Sequence, residues 1–218
     1  MVKIAKYEKK IDSKSDLDKV IGRAYEKCRK FFGEDIRDIK IYFCYSRKEF
    51  EKFVKRSTPE WLVGVSGSKE VVILSPSVFA KASNHPKSDF YPVLTHEVAH
   101  VFLNQLYGFN QPVWLREGIP GYIASQYKIR EIVSKNVQQL DALHGKNSWD
   151  KTNNYPQAFH FTKYLIDSFG KKKILTLIST LDTNESYEGF SLKLRKAVDM
   201  TIENVFNNWL QSMREKTE

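Results

Sequence analysis

The sequence predicts an α+β fold in which a small sheet near the N-terminus is followed by helices. Two patterns predict this order. Alternating or β-rich runs are confined to residues 39–74, and helical spacing of apolar residues dominates from residue 90 onward. The 218 residues, 41% hydrophobic and 28% charged, suffice for one sizeable domain of ordinary soluble composition. We therefore expect a single domain over residues 1–218, with a helix and the sheet in residues 1–90 and a helical half in residues 91–218.

The N-terminal part carries helix, strand and hairpin signals in turn. Residues 16–32 have the apolar spacing of an amphipathic helix, and Gly33 is expected to end it. Residues 39–45 alternate as a half-buried strand does, and residues 47–55 predict a short helix. A hairpin is predicted from two β-rich runs, residues 61–66 and 70–74, and from the polar turn between them at residues 67–69.

Every element predicted after residue 90 is a helix. Asp89 can cap a helix that has Pro92 in its first turn, and the Tyr107-Gly108 pair can end it. A second helix is predicted over residues 119–132, followed by a weakly patterned polar stretch. The remaining predicted helices are residues 155–169, 171–181, 190–198 and 202–213.

Charge and composition disfavour several classes of protein. The formal net charge of +9 suggests affinity for polyanions, but the lysines are spread along the chain. The one dense run, Lys171-Lys172-Lys173, lacks the interleaved aromatics of a nucleic-acid platform, so specific nucleic-acid binding is disfavoured. No stretch approaches the roughly 18 apolar residues of a membrane span, and none near the start resembles a signal peptide.

A cytoplasmic location is the corresponding expectation, and the oligomeric state is left open. The two cysteines, Cys28 and Cys44, form no disulfide framework, so we expect both to be buried thiols in a reducing compartment.

The segment His96-Glu97-Val98-Ala99-His100 carries the clearest chemical signal. Residues four apart share a helix face, so His96 and His100 can present imidazole nitrogens to one cation at about 2.0–2.1 Å. Glu97 lies about 100° around the helix, where it can act as a general base on a water molecule. The helix is apolar around most of its circumference, which predicts burial, and unpaired buried histidines would be costly.

A catalytic zinc site needs a third protein ligand and an open fourth position. Glu117 supplies a carboxylate downstream, at the expected start of the next helix. The HExxH motif together with the W-x-x-E-G segment at residues 114–118 resembles the gluzincin metallopeptidases, most of all their compact peptidase-MA-like members. This resemblance covers most of residues 39–212. It implies a zincin-like fold, Zn²⁺ held by His96, His100 and Glu117, Glu97 as general base, and a peptide or protein substrate.

Three departures from the gluzincin pattern affect these expectations. Pro120 stands where those enzymes usually have alanine, so we expect it in the first turn of its helix, where no intrahelical donor is lost. The spacing from His100 to Glu117 is shorter than in the large aminopeptidases, and their amine-binding signature is missing. An endopeptidase is therefore favoured over an aminopeptidase.

The resemblance also implies a tyrosine that donates to the developing oxyanion. Tyr155 is the candidate catalytic donor, with Tyr122 and His160 as rivals and helix-end packing as its alternative role. His85 and His144 are expected to be solvated and not to bind the metal. An exposed strand within residues 61–74 could pair with an extended peptide, although interior packing explains that hairpin equally well.

Two rival functions remain open at this stage. The first is a nucleic-acid-associated HExxH protease, which typically has a third histidine ligand; no histidine occurs between His100 and His144. The second is a catalytically silent, peptidase-like binding module, which has no need for the intact Glu97.

Overall fold

The structure, a computed structural model, describes residues 14–36, 38–132, 136–146, 149 and 154–215. Its three-stranded sheet and predominance of helices confirm the α+β prediction. The chain divides into two compact units, Met1–Leu106 and Tyr107–Glu218. The single domain therefore stays a prediction. None of the described helices is long and apolar enough to cross a membrane.

In its described residues, the first unit contains the sheet, three α-helices and a 3-10 turn at Lys87–Asp89. Its elements are α1 (Lys14–Phe32), β1 (Lys40–Cys44), α2 (Arg47–Val54), β2 (Gly64–Ser66), β3 (Glu70–Leu74) and α3 (Phe90–Leu106). The strand order is β1-β3-β2, with β1 parallel and β2 antiparallel to the central strand β3. The predicted hairpin is thus confirmed, although its first strand is shorter than expected because only residues 64–66 pair with β3.

Helix α3 packs against α1, β2 and β3 within the first unit. Its residues from Val93 to Leu103 are all buried, and α1 covers part of it through the stacked rings of Phe32 and Phe102, 5.4 Å apart. The thiol of Cys28 donates a hydrogen bond to the carbonyl oxygen of Thr95 at 3.8 Å. Both cysteines are buried and free, as expected, and burial raises the pKa of the Cys44 thiol to about 12.

The hairpin turn is fastened to the C-terminal end of α3. The side-chain amide of Asn104 donates to the carbonyl of Gly67 at 3.0 Å, and that of Gln105 donates to the carbonyl of Ser68 at 2.8 Å. Because both acceptors follow β2 directly in the chain, these bonds hold the end of that strand against the helix.

The second unit is helical throughout its regular structure in the described residues. Its helices are α4 (Val113–Ile123), α5 (Tyr155–Phe169), α6 (Lys171–Ser179), α7 (Tyr187–Val198) and α8 (Ile202–Arg214). The four C-terminal helices confirm their predictions to within a few residues at each end. The polar stretch before α5 lies partly outside the described residues, at 133–135, 147–148, 150 and 151–153.

The bounds predicted for α4 were wrong. It begins at residue 113, directly after Pro112, whose backbone has the extended conformation of a residue preceding a helix. It ends at Ile123, and Ser125 takes a left-handed conformation before a short 3-10 turn at Gln126–Lys128. Residues 119–132 therefore do not form one helix, since a left-handed residue interrupts the helical hydrogen bonding.

Pro120 also lies inside α4 and not in its first turn, contrary to expectation. Proline has no N–H, so the helix lacks the bond that residue 120 would otherwise donate to the carbonyl of Arg116. Because α4 ends less than one turn after Pro120, few later hydrogen bonds are affected.

Helices α4 and α5 approach each other at two glycines. A methyl group built on Gly118 would lie 1.9 Å from the hydroxyl oxygen of Thr162, and one on Gly121 would lie 2.0 Å from the ring of Phe159. Both distances are far below van der Waals contact, so α4 keeps its place beside α5 only without side chains at these positions.

Replacing Gly121 with alanine is expected to destabilise the protein by about 1–3 kcal/mol, because the methyl group must displace the buried ring of Phe159. Gly22→Ala is the matched control. Gly22 is an exposed residue of α1 with nothing within 4 Å of an added methyl, so this change should stabilise by up to about 1 kcal/mol. Urea unfolding of both variants measures the difference, and equal stabilities would contradict the packing argument.

Candidate metal centre

Helix α3 brings the two histidines of the motif together on one face. Their Nε2 atoms lie 3.1 Å apart, and the side chains are only 7% and 6% exposed, for His96 and His100 respectively. Two ligand nitrogens at 2.0–2.1 Å from one tetrahedral ion would lie roughly 3.3 Å apart. The pair therefore has close to the spacing that a shared metal ion requires.

Glu97 projects from a neighbouring face of α3 towards β2. Its side chain is buried, and its Oε2 accepts a hydrogen bond from the hydroxyl of Ser66. The backbone of Gly64 lies so close that a methyl group there would be 2.8 Å from Cγ of Glu97. The carboxylate thus has its own hydrogen-bond partner on the sheet.

Glu117 lies near the middle of α4, and not at its start as expected, with its carboxylate 3.6 Å from the guanidinium of Arg116. Glu117 belongs to the second unit and the two histidines to the first, so its role as third ligand stays a prediction. The two histidine nitrogens and a glutamate carboxylate are ligand types compatible with a bound metal ion. Two imidazoles and one carboxylate are a donor set that suits a divalent transition metal.

The three candidates for oxyanion donor have different surroundings. Tyr155 is the first residue of α5, and its ring packs edge-on against Trp149, with centroids 5.1 Å apart, and against Phe159 at 6.1 Å. Tyr122 stacks on Tyr127, and burial raises the pKa of the Tyr122 phenol. The Nε2 atom of His160 lies 2.9 Å from the carbonyl oxygen of Arg130.

The expectation that His85 and His144 are solvated was wrong. His144 is 7% exposed, packs against the ring of Tyr187, and has its Nε2 2.7 Å from the carbonyl oxygen of Glu185. The ring of His85 lies between two acceptors, a carboxylate oxygen of Asp89 at 3.1 Å and the carbonyl of Trp61 at 2.9 Å. Both histidines lie in loops, where the local sequence gives no sign of the aromatic rings and carbonyls that enclose them.

Sequence reasoning missed Ser66 and Gly64, the two β2 residues that contact Glu97. A serine and a glycine near a polar turn are ordinary hairpin residues, and nothing in the pattern connects them with a helix residue about thirty positions later.

Comparison with known families identifies a peptidase-like domain. A model of the BSP family, described as "Peptidase of plants and bacteria", matches residues 14–207. The match covers most of the chain, so the protein belongs to this peptidase family. Comparisons with curated proteins and with solved structures found no match.

Proposed function

We propose that this protein is a zinc-dependent endopeptidase of the gluzincin type. In this proposal His96, His100 and Glu117 hold Zn²⁺, and Glu97 is the general base. The 3.1 Å separation of the Nε2 atoms of His96 and His100, which suits two ligands of one metal ion, is the observation that carries it. Membership of a peptidase family supports peptide or protein as the substrate.

Zinc held by these residues would supply a Lewis acid that lowers the pKa of a water molecule and polarises the scissile carbonyl. Glu97 takes a proton from the attacking water and later delivers it to the leaving amine. Tyr155 donates a hydrogen bond to the carbonyl oxygen as negative charge develops there. Burial of Glu97 supports its role, because a carboxylate shielded from bulk water interacts more strongly with a nearby proton donor.

The edge of β2 is the proposed binding position for an extended substrate. In the order β1-β3-β2, this strand pairs with β3 alone among the described strands. An extended peptide can add to such an edge through main-chain hydrogen bonds, which require no particular side chain. An endopeptidase that binds in this way should cleave peptides with acetylated N-termini, which an aminopeptidase leaves intact.

The third ligand provides the test of the metal site. Wild-type protein should contain about one zinc per chain, whereas Glu117→Ala should lose most of its zinc on dialysis against a weak chelator. Glu131→Ala, which removes an exposed glutamate elsewhere in the same unit, should retain zinc as the wild type does. Elemental analysis measures the content, and full occupancy in Glu117→Ala would remove this residue from the ligand set.

The two rival functions have less support. A nucleic-acid-associated HExxH protease would use a third histidine, but no histidine lies between His100 and His144, whereas Glu117 does. A silent binding module gives no reason for Glu97 to be held beside the candidate ligands by its own hydrogen bond. Cleavage of unfolded casein by the zinc-loaded protein separates the enzyme from the binding module.

A further inference from the structure

Two residues of β2 face the side chain of Glu97. Side chains alternate between the two faces of a strand, so residues 64 and 66 lie on one face and Val65 on the other. On the shared face, the Ser66 hydroxyl donates to Oε2 of Glu97, and Gly64 leaves the space that the glutamate side chain occupies. One residue thus provides a donor and the other provides room for the same carboxylate.

The position of the Ser66 hydroxyl is fixed relative to α3. Ser66 pairs with Val71 of the central strand, and Gly64 pairs with Ile73. The turn that follows is bonded to α3 by Asn104. The donor and the helix that carries Glu97 are therefore held in one framework, so the hydrogen bond restricts the glutamate and not only the serine.

A general base must lie within about 2.6–3.2 Å of the proton that it removes. A glutamate side chain has several rotatable bonds, and a free one would spend little time in a single productive orientation. A hydrogen bond to one carboxylate oxygen reduces this freedom and leaves the other oxygen to accept the proton.

We propose that Ser66 is the positioning residue for Glu97, and that Gly64 is needed because any side chain there would displace the same carboxylate. The inference rests on the proposed function, since it assumes that Glu97 is the general base. Ser66 acts through Glu97 and has no direct role towards metal or substrate. Its loss should consequently affect turnover, and should leave substrate binding and zinc content unchanged.

Three variants of the zinc-loaded protein test this role with a fluorogenic peptide based on a casein cleavage site. Ser66→Ala should lower kcat roughly 10–100-fold, the effect of losing one hydrogen bond to a charged group, with KM and zinc content unchanged. Ser66→Thr keeps the hydroxyl and should restore most of the turnover. Ser57→Ala is the matched control, because that exposed serine lies 3.4 Å from the carboxylate of Glu51, another glutamate of the first unit. The Ser57→Ala variant should behave as wild type.

Gly64→Ala provides independent evidence, because it keeps the Ser66 hydroxyl and places a methyl group 2.8 Å from Cγ of Glu97. It should lower kcat without loss of zinc. Full turnover in Ser66→Ala overturns the proposal, as does a rise in KM or a loss of zinc that accounts for the whole defect. Glu97→Gln separates failure of the positioning role from failure of the proposed function. If Glu97→Gln is inactive while Ser66→Ala is fully active, only the positioning role of Ser66 fails. If Glu97→Gln is active, the proposed function itself is rejected.

Discussion

Replacing Glu97 with glutamine is expected to lower peptide hydrolysis roughly 10²–10⁴-fold, the contribution of a well-placed general base. Glutamine has nearly the same shape, and its carbonyl oxygen can still accept the hydrogen bond from Ser66. It cannot take a proton from water at neutral pH. Zinc content and the unfolding midpoint should stay close to wild type, because the proposed ligands are other residues.

The measurement is casein cleavage together with elemental analysis and thermal unfolding of the same preparation. Glu34→Gln, an exposed glutamate in the same unit, controls for the substitution and should keep full activity. A Glu97→Gln variant that retains both zinc and activity would show that Glu97 is not the base. One that loses its zinc would place Glu97 among the metal ligands.

Tyr155→Phe is expected to lower kcat by roughly 10²–10³-fold, as the loss of other oxyanion donors does. A hydrogen bond that strengthens as the carbonyl oxygen becomes negative acts on turnover more than on substrate binding. Phenylalanine keeps the ring that packs against Trp149 and Phe159, so zinc content and thermal stability should change little.

Packing alone predicts a different result for the same substitution. If Tyr155 only fills space at the start of α5, its loss of a hydroxyl costs at most about 1 kcal/mol of stability and leaves kcat unchanged. Tyr122→Phe is the comparison, since Tyr122, the rival donor, has a phenol hydroxyl on α4. A large loss of kcat in Tyr122→Phe, with none in Tyr155→Phe, would transfer the role to Tyr122.

Local patterns predicted the elements whose structure depends on local causes. The predicted helix 155–169 has the bounds observed for α5, because apolar spacing and a following glycine mark both its face and its end. The prediction for α4 failed because it placed Pro120 in the first turn of the helix. The helix instead begins directly after Pro112, and Pro120 is accommodated inside it close to its end.

The residues of the candidate site also differ in whether local sequence determines their position. His96, Glu97 and His100 were found because the helix period alone relates them. The hydrogen bond between Ser66 and Glu97 depends on how a strand packs on a helix, and this packing leaves no periodic signal in the sequence. The buried His144 was missed for a similar reason, since the residues that enclose it are some forty positions away.

The close approach of α4 and α5 also limits how this protein can diverge. Gly118 directly follows the proposed ligand Glu117, and it touches Thr162 across the helix pair. A lineage that gained a side chain at residue 118 would need a smaller residue at 162, or would have to move the carboxylate along with its helix. Residues of α5 that never contact the metal are therefore expected to evolve in step with the glycines of α4.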